Sequence, residues 1–283
     1  MTHPIADAEL SWVFEPDVAV PAAFAAALYL RGWLVLRHRM PDRFGSERAA
    51  AFVGGLAALV LAACSPLDGL GREFLQAHMI QHLLLMLVAP PLLWLGAPVA
   101  PVLLGLPRPV RRQVAIALGT LPMRRLARAL ADPRVAWGAF IAAFWIWHLP
   151  GAYDLALRSG AWHHVEHASF FLGGLIFWRP VILAWPARET WPRWVMIVYL
   201  LLAETQNTLL SAILTFSDRV VYPFYATIDR AGGLGALDDQ ALAGLIMWVP
   251  GSLAFLLPVL WLLMTMLSSP TARAAERPAA SGS

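Results

Sequence analysis

Seven stretches of about twenty mostly apolar residues constrain this chain more than any other feature. They run roughly over 18–36, 48–66, 75–97, 134–150, 162–184, 194–216 and 240–267. Wound as helices, runs of that length match the hydrocarbon thickness of a bilayer. Charged residues make up only 14% of the chain, where a soluble domain carries about 25%. The expectation is an all-α polytopic membrane protein with seven transmembrane helices. Its membrane domain covers 18–267, preceded by an extracytoplasmic tail over 1–17. A Pro-, Ala-, Ser- and Arg-rich cytoplasmic tail over 268–283 is expected to be disordered. Pro90-Pro91 should kink the third run about midway. The first residues carry acids and no arginine before Pro21, unlike a secretory leader, so the first run is expected to stay in place.

Arginine sets the orientation. The 21 basic residues include no lysine, and 16 of them lie in the connections 37–48, 108–134, 179–193 and the carboxyl-terminal tail. These alternate with connections holding only Arg72, Arg158, Arg219 and Arg230. The arginine-rich side is expected to be cytoplasmic, which places the amino terminus outside and the carboxyl terminus inside. The segment 107–132 interleaves arginine with apolar residues, as a helix lying on the cytoplasmic membrane surface does. The net charge of +3 is thereby a topological signal, and no nucleic acid is expected as a partner.

With that orientation, six of the eight histidines fall at the outer face. His78 and His82 open the third run, His148 closes the fourth, and His163, His164 and His167 open the fifth. Residues four apart on a helix lie about 40° apart in azimuth, so His78 with His82, and His163 with His167, share a face. Ionisable groups at membrane depth mark ion or substrate paths. Acids predominate on the same face, among them Asp68, Glu73, Asp154 and Asp239, which suits a cation. The single cysteine, Cys64, excludes an intrachain disulfide and a cysteine-cluster metal site, leaving at most one thiolate ligand.

Thioether donors beside imidazoles select Cu(I) over zinc. Met86 follows His82 by four residues and shares its face, and Met247 lies two turns inside the last run. Glu166 and His164 stand among the fifth-run histidines, and Gln81 stands between His78 and His82. These three are candidates to orient the ligands rather than to bind. His163 to His167 also reads H-x-x-E-H, a zinc-peptidase pattern with Glu166 as base. Glu204, Gln206 and Asn207 form a polar patch in the sixth run, open to roles as interhelical glue, proton route or ion path. No glycine-rich phosphate loop or nucleophile elbow is present, nor the paired deep imidazoles of a diheme cytochrome.

Several motifs then occur in order. His78-Met79-x-Gln81-His82-Leu83-Leu84-Leu85-Met86 is followed by Ala89-Pro90-Pro91-Leu92-Leu93 and Leu95-Gly96-x-Pro98. Trp147-His148-x-Pro150-x-x-Tyr153, His163-x-x-Glu166-His167 and Phe177-Trp178-x-Pro180 come next. The last run carries Asp239-Gln240-x-x-Ala243-Gly244-x-Ile246-Met247-Trp248-x-Pro250-Gly251. Together these resemble the polytopic CtaG family of cytochrome c oxidase assembly factors. The resemblance implies a multi-pass protein of the bacterial cytoplasmic (inner) membrane that helps insert copper into a terminal oxidase. It carries over His78, His82, His148, His163 and His167 as metal ligands, followed by Met247 and Asp239. It implies oxidase subunits as partners, and an outer-face site would also suit accepting metal from a periplasmic copper carrier. His164 is a third histidine beside the pair, which leaves the register of the fifth-run ligands open.

The expected function is therefore a metallochaperone rather than an enzyme, holding copper as Cu(I) in exchangeable imidazole and thioether coordination. Two alternatives use the same residues. One is an intramembrane zinc hydrolase acting on lipids, with zinc-activated water and Asp239 or Glu166 moving the proton. The other is a heme-binding membrane protein with His78 or His82 opposite His148 or His167 as axial ligands.

Overall fold

The computed structural model describes residue 12 and residues 15–187, 189, 191–228 and 233–268. The tail over 269–283, and with it the expectation of disorder there, lies outside the described residues, as do His3, Asp229 and Arg230. Among the described residues every regular element is helical.

The first two helices, α1 (Pro16–Arg39) and α2 (Ser46–Cys64), are followed by the short α3 (Leu67–Glu73). The third apolar run is α4 (Leu75–Leu83), a π-helical turn over Leu84–Val88, and α5 (Ala89–Leu95). Pro90 has no N–H to return to the Met86 carbonyl, so the α-helical ladder cannot continue unbroken there. The Trp178 indole N–H donates to that carbonyl instead, at 3.0 Å. The expected kink is thus a wide turn whose freed acceptor is used to dock another helix.

After α6 (Val99–Gly105), the arginine-rich segment forms α7 (Arg108–Gly119) and α8 (Leu121–Ala131), neither with a buried residue. Their apolar side chains, including Ile116, Leu121 and Leu126, are exposed, as a surface-lying amphipathic pair requires. Next come α9 (Pro133–His148), α10 (Pro150–Arg158), α11 (Gly160–Ile182), α12 (Arg193–Phe216), the short α13 (Pro223–Ala226) and α14 (Ala236–Leu267).

The core is aromatic. Phe140, Phe177, Trp178 and Phe255 are each at most 2% exposed and pack ring on ring across α9, α11 and α14. Large apolar side chains such as Phe24, Leu34, Leu202, Leu257 and Trp261 face outward, the reverse of a soluble protein. Helices approach closely where glycine removes the side chain. A Cβ on Gly174 would stand 2.8 Å from the Met86 carbonyl oxygen and from Pro90. That contact seats α11 against the π-helical turn.

The count of spans differs from the seven expected. Among the described residues, five helical segments are long and apolar enough to cross a bilayer: α1, α2, the α4–α5 segment, α12 and α14. A sixth is obtained if α8 and α9, bent by 71° at their junction, are taken together. Alone, α9 has 16 residues, about 24 Å of helix against a core of about 30 Å. The 23-residue α11 is long enough, but three histidines, Glu166 and Arg179 dilute its apolar character. The residues that make the fifth run chemically interesting are the ones that weaken it as a span.

Candidate metal centre

Two helices place most of the site. On α4, His78 and His82 have ring centroids 4.4 Å apart, and on α11 His163 and His167 are 4.0 Å apart. The helices face one another, with His167 centred 5.8 Å from both His78 and His82. The turn that separates His163 from His167 also carries Glu166 into the gap. Its two carboxylate oxygens lie 3.5 Å from Nε2 of His78 and 3.5 Å from Nε2 of His82. Glu166 is 0% exposed, His78 1% and His82 3%.

Ligand atoms of His78, His82, Glu166 and His167 all lie within 4.8 Å of one another. A tetrahedral ion with bonds of about 2.1 Å holds its ligand atoms about 3.4 Å apart. Side-chain movements of about an ångström would close this shell. Both ring nitrogens of His78 and His82, Nε2 of His167 and both oxygens of Glu166 are buried and make no hydrogen bond. Buried lone pairs need a partner, and one cation between these residues would serve all four. Three imidazoles and a carboxylate suit a transition metal of the zinc or copper type.

His148, at the end of α9, is aimed by its own helix. Its Nδ1–H donates to the Phe144 carbonyl at 2.7 Å, which fixes the tautomer and leaves the buried Nε2 as an unpartnered acceptor. The ring stands 5.8 Å from that of His82. A narrow internal cavity runs past both and is lined also by Met86, Met247 and Asn207. The two thioethers named from the sequence thus line one cavity with His82 and His148.

Asp68 joins His163 and His167 in a second group within 4.8 Å, and Glu15 and Asp17 join His164 in a third. His164 faces outward, its Nδ1 3.8 Å from Asp17, so the α11 residues facing α4 are His163, Glu166 and His167. Gln81 donates to the Ala62 carbonyl at 2.7 Å and to Asp68 at 3.3 Å, tying α4 to α2 and α3. Asp239, expected among the ligands, joins none of these groups. It accepts from the backbone N–H of Leu75 at 2.7 Å and of Gln76 at 3.2 Å. It thereby caps the start of the helix that carries His78 and His82, where the orphan N–H groups and the helix dipole favour an anion. Cys64 is buried at the end of α2 and is in none of the groups. In the patch on α12, Glu204 accepts from Ser252 and Thr208, and Asn207 donates to the Met247 carbonyl, so these residues tie α12 to α14.

Sequence reasoning passed over Tyr153 and the specific role of Asp68. Tyr153 is 0% exposed and its ring lies 5.2 Å from that of His78, 6.3 Å from that of His82 and 6.3 Å from that of His148. Tyr222 stacks behind it at 4.0 Å. Burial, reinforced by Tyr225 and Glu166, pushes the Tyr153 phenol well above its ordinary range, so it stays neutral. Its place five residues after His148 in the Trp-His-x-Pro-x-x-Tyr string was the available signal.

A family model described as cytochrome c oxidase caa3 assembly factor (Caa3_CtaG) matches residues 27–269. The chain belongs to this family. Among curated proteins it is similar to uncharacterized proteins of Mycobacterium bovis and Mycobacterium tuberculosis. Each is 28% identical over 245 residues, covering 84% of this chain and 36% of the relative. One from Mycobacterium leprae is 24% identical over the same span. The chain thus spans about a third of the length of these relatives. No solved structure matches.

Proposed function

We propose that this multi-pass assembly factor takes up a copper ion as cargo at the histidine cluster and passes it to cytochrome c oxidase. The observation that carries the reading is the four-residue group His78, His82, Glu166 and His167, drawn from two helices, largely buried, and gathered with its ligand atoms within 4.8 Å of one another. Copper is favoured over zinc by what lies next to that group. Met86 and Met247 line the same cavity as His82 and His148, and mixed imidazole and thioether donors stabilise Cu(I). An ion leaving Glu166 for this softer pocket would find lower-coordinate ligands, from which exchange to a partner is easier. Such a role transfers a metal and needs no catalysed reaction. The arginine distribution supports an orientation with the histidine end of the bundle outside the cytoplasmic membrane, with seven crossings if α9 and α11 both traverse it. There, metal could come from a periplasmic carrier and go to an oxidase subunit.

A second reading, a zinc-dependent hydrolase acting on lipids, has one specific observation in its favour. A cleft of about 680 Å³ opens beside His163 and His167 and is largely apolar. A carboxylate among zinc ligands beside such a cleft could serve as a base. The heme reading draws on the same imidazoles, which meet ring against ring at 4.0–5.8 Å between centroids.

The deciding experiment is metal analysis of the protein purified in mild detergent, with and without copper under reducing conditions, together with its visible spectrum. Copper lost in the His78→Ala/His82→Ala double variant, with oxidase maturation failing in cells, supports the copper reading. Firmly held zinc that does not exchange for copper moves the assignment to the hydrolase, and a Soret band moves it to heme.

A further inference from the structure

The three ligand groups are nested rather than scattered. At the mouth of the large cleft, Glu15 and Asp17 at the start of α1 meet His164, and the side chains of His164 and Asp17 are 54% and 58% exposed. One step deeper, Asp68 lies 3.9 Å from Nδ1 of His163, with side chains 16% and 9% exposed. Deepest is the buried group of His78, His82, Glu166 and His167. His163, His164 and His167 all line the cleft, as do Asp17 and Asp68. His167 belongs to both the second and the third group.

We propose that these groups form an entry ladder, along which a metal ion moves from solvent to the buried centre by successive ligand exchange. This rests on the metal-centre reading above and adds its route of supply. Each rung pairs at least one imidazole with at least one carboxylate, so a cation is never left in the apolar cleft without an anionic partner. That matters because an unpaired charge away from water is costly. The outer rung has two carboxylates and one histidine, and the inner has three histidines and one carboxylate. Imidazole donors thus accumulate with depth, which suits capture by charge outside and retention by coordination inside. Because His167 is common to two rungs, the ion can cross between them with one ligand retained throughout. The ring of His163 lies 5.3 Å from that of His78, so the second rung already touches the inner one. Arg72 also lines the cleft and opposes the entry of a cation.

A ladder controls the rate of loading and not the final occupancy of the inner centre. The test uses the full-length protein in detergent and Cu(I) supplied as a coloured chelate, with uptake followed by stopped-flow absorbance. The triple variant Glu15→Gln/Asp17→Asn/His164→Gln changes the outer rung, two of whose residues are largely exposed. Asp68→Asn removes charge from the second rung while keeping an oxygen for Gln81. Each should slow uptake by about tenfold, the lower end of what a charged cleft adds to association, with copper per chain at saturation unchanged. Arg72→Gln should speed uptake. Wild-type rates in both the triple variant and Asp68→Asn would overturn the ladder, as would a fall in final copper content that tracks the rate, which would mean one diffuse site. If the wild-type protein takes up no copper at all, the metal-centre reading itself fails, a result distinct from either.

Discussion

The Nε2 of His78 lies 3.5 Å from a carboxylate oxygen of Glu166, across the contact between two helices that are remote in the sequence. His82 has the same relation to the other oxygen of that carboxylate. Glu166 therefore stands between the two imidazoles, with one carboxylate oxygen facing each.

Glu166→Gln keeps the side-chain shape and removes the charge. It should weaken metal binding by more than about tenfold, the least that loss of a mere partner to metal-bound histidine costs. Competition against a chelator of known affinity measures it. Unchanged affinity would remove Glu166 from the ligand set and leave an all-histidine site.

Asp239 supports the site from outside. Asp239→Ala leaves the buried amides of Leu75 and Gln76 without their acceptor, which should cost about 1–3 kcal/mol. Thermal unfolding in detergent should drop accordingly, and metal affinity should fall with it because α4 loses its anchored start. A variant that kept its stability but lost all metal would instead make Asp239 a ligand.

Gly174 sets the distance between α11 and the π-helical turn. Gly174→Ala puts a methyl group where the Met86 carbonyl and Pro90 already stand, an overpacking worth about 1–3 kcal/mol. Because Glu166 and His167 ride on the displaced helix, metal affinity should fall although no ligand has changed. Wild-type affinity in a folded Gly174→Ala protein would show that the site tolerates movement of α11.

Protons compete with metal for imidazole nitrogens and carboxylates. Acidification strong enough to protonate the imidazoles should therefore weaken binding at the buried group and release metal. Thioethers do not take up protons in water. An affinity independent of pH would move the ion to Met86 and Met247.

The sequence by itself determined that the chain is helical, largely embedded in lipid, and furnished with histidines at one end of its apolar runs. Those properties follow from composition and from spacing along single helices, such as the shared face of His78 and His82, and they need no knowledge of neighbours. Which helices meet was not legible, because it depends on close approaches such as Gly174 on Met86 and on the carbonyl that Pro90 frees for Trp178. That meeting brought Glu166 between two histidines, turned His164 outward, gave Tyr153 a place among the rings and Asp68 a place beside His163. It also took Asp239 away to cap a helix. A side chain's azimuth on its own helix is fixed locally, whereas its partner across the gap is set by how two helices pack, and only the tertiary structure decides that.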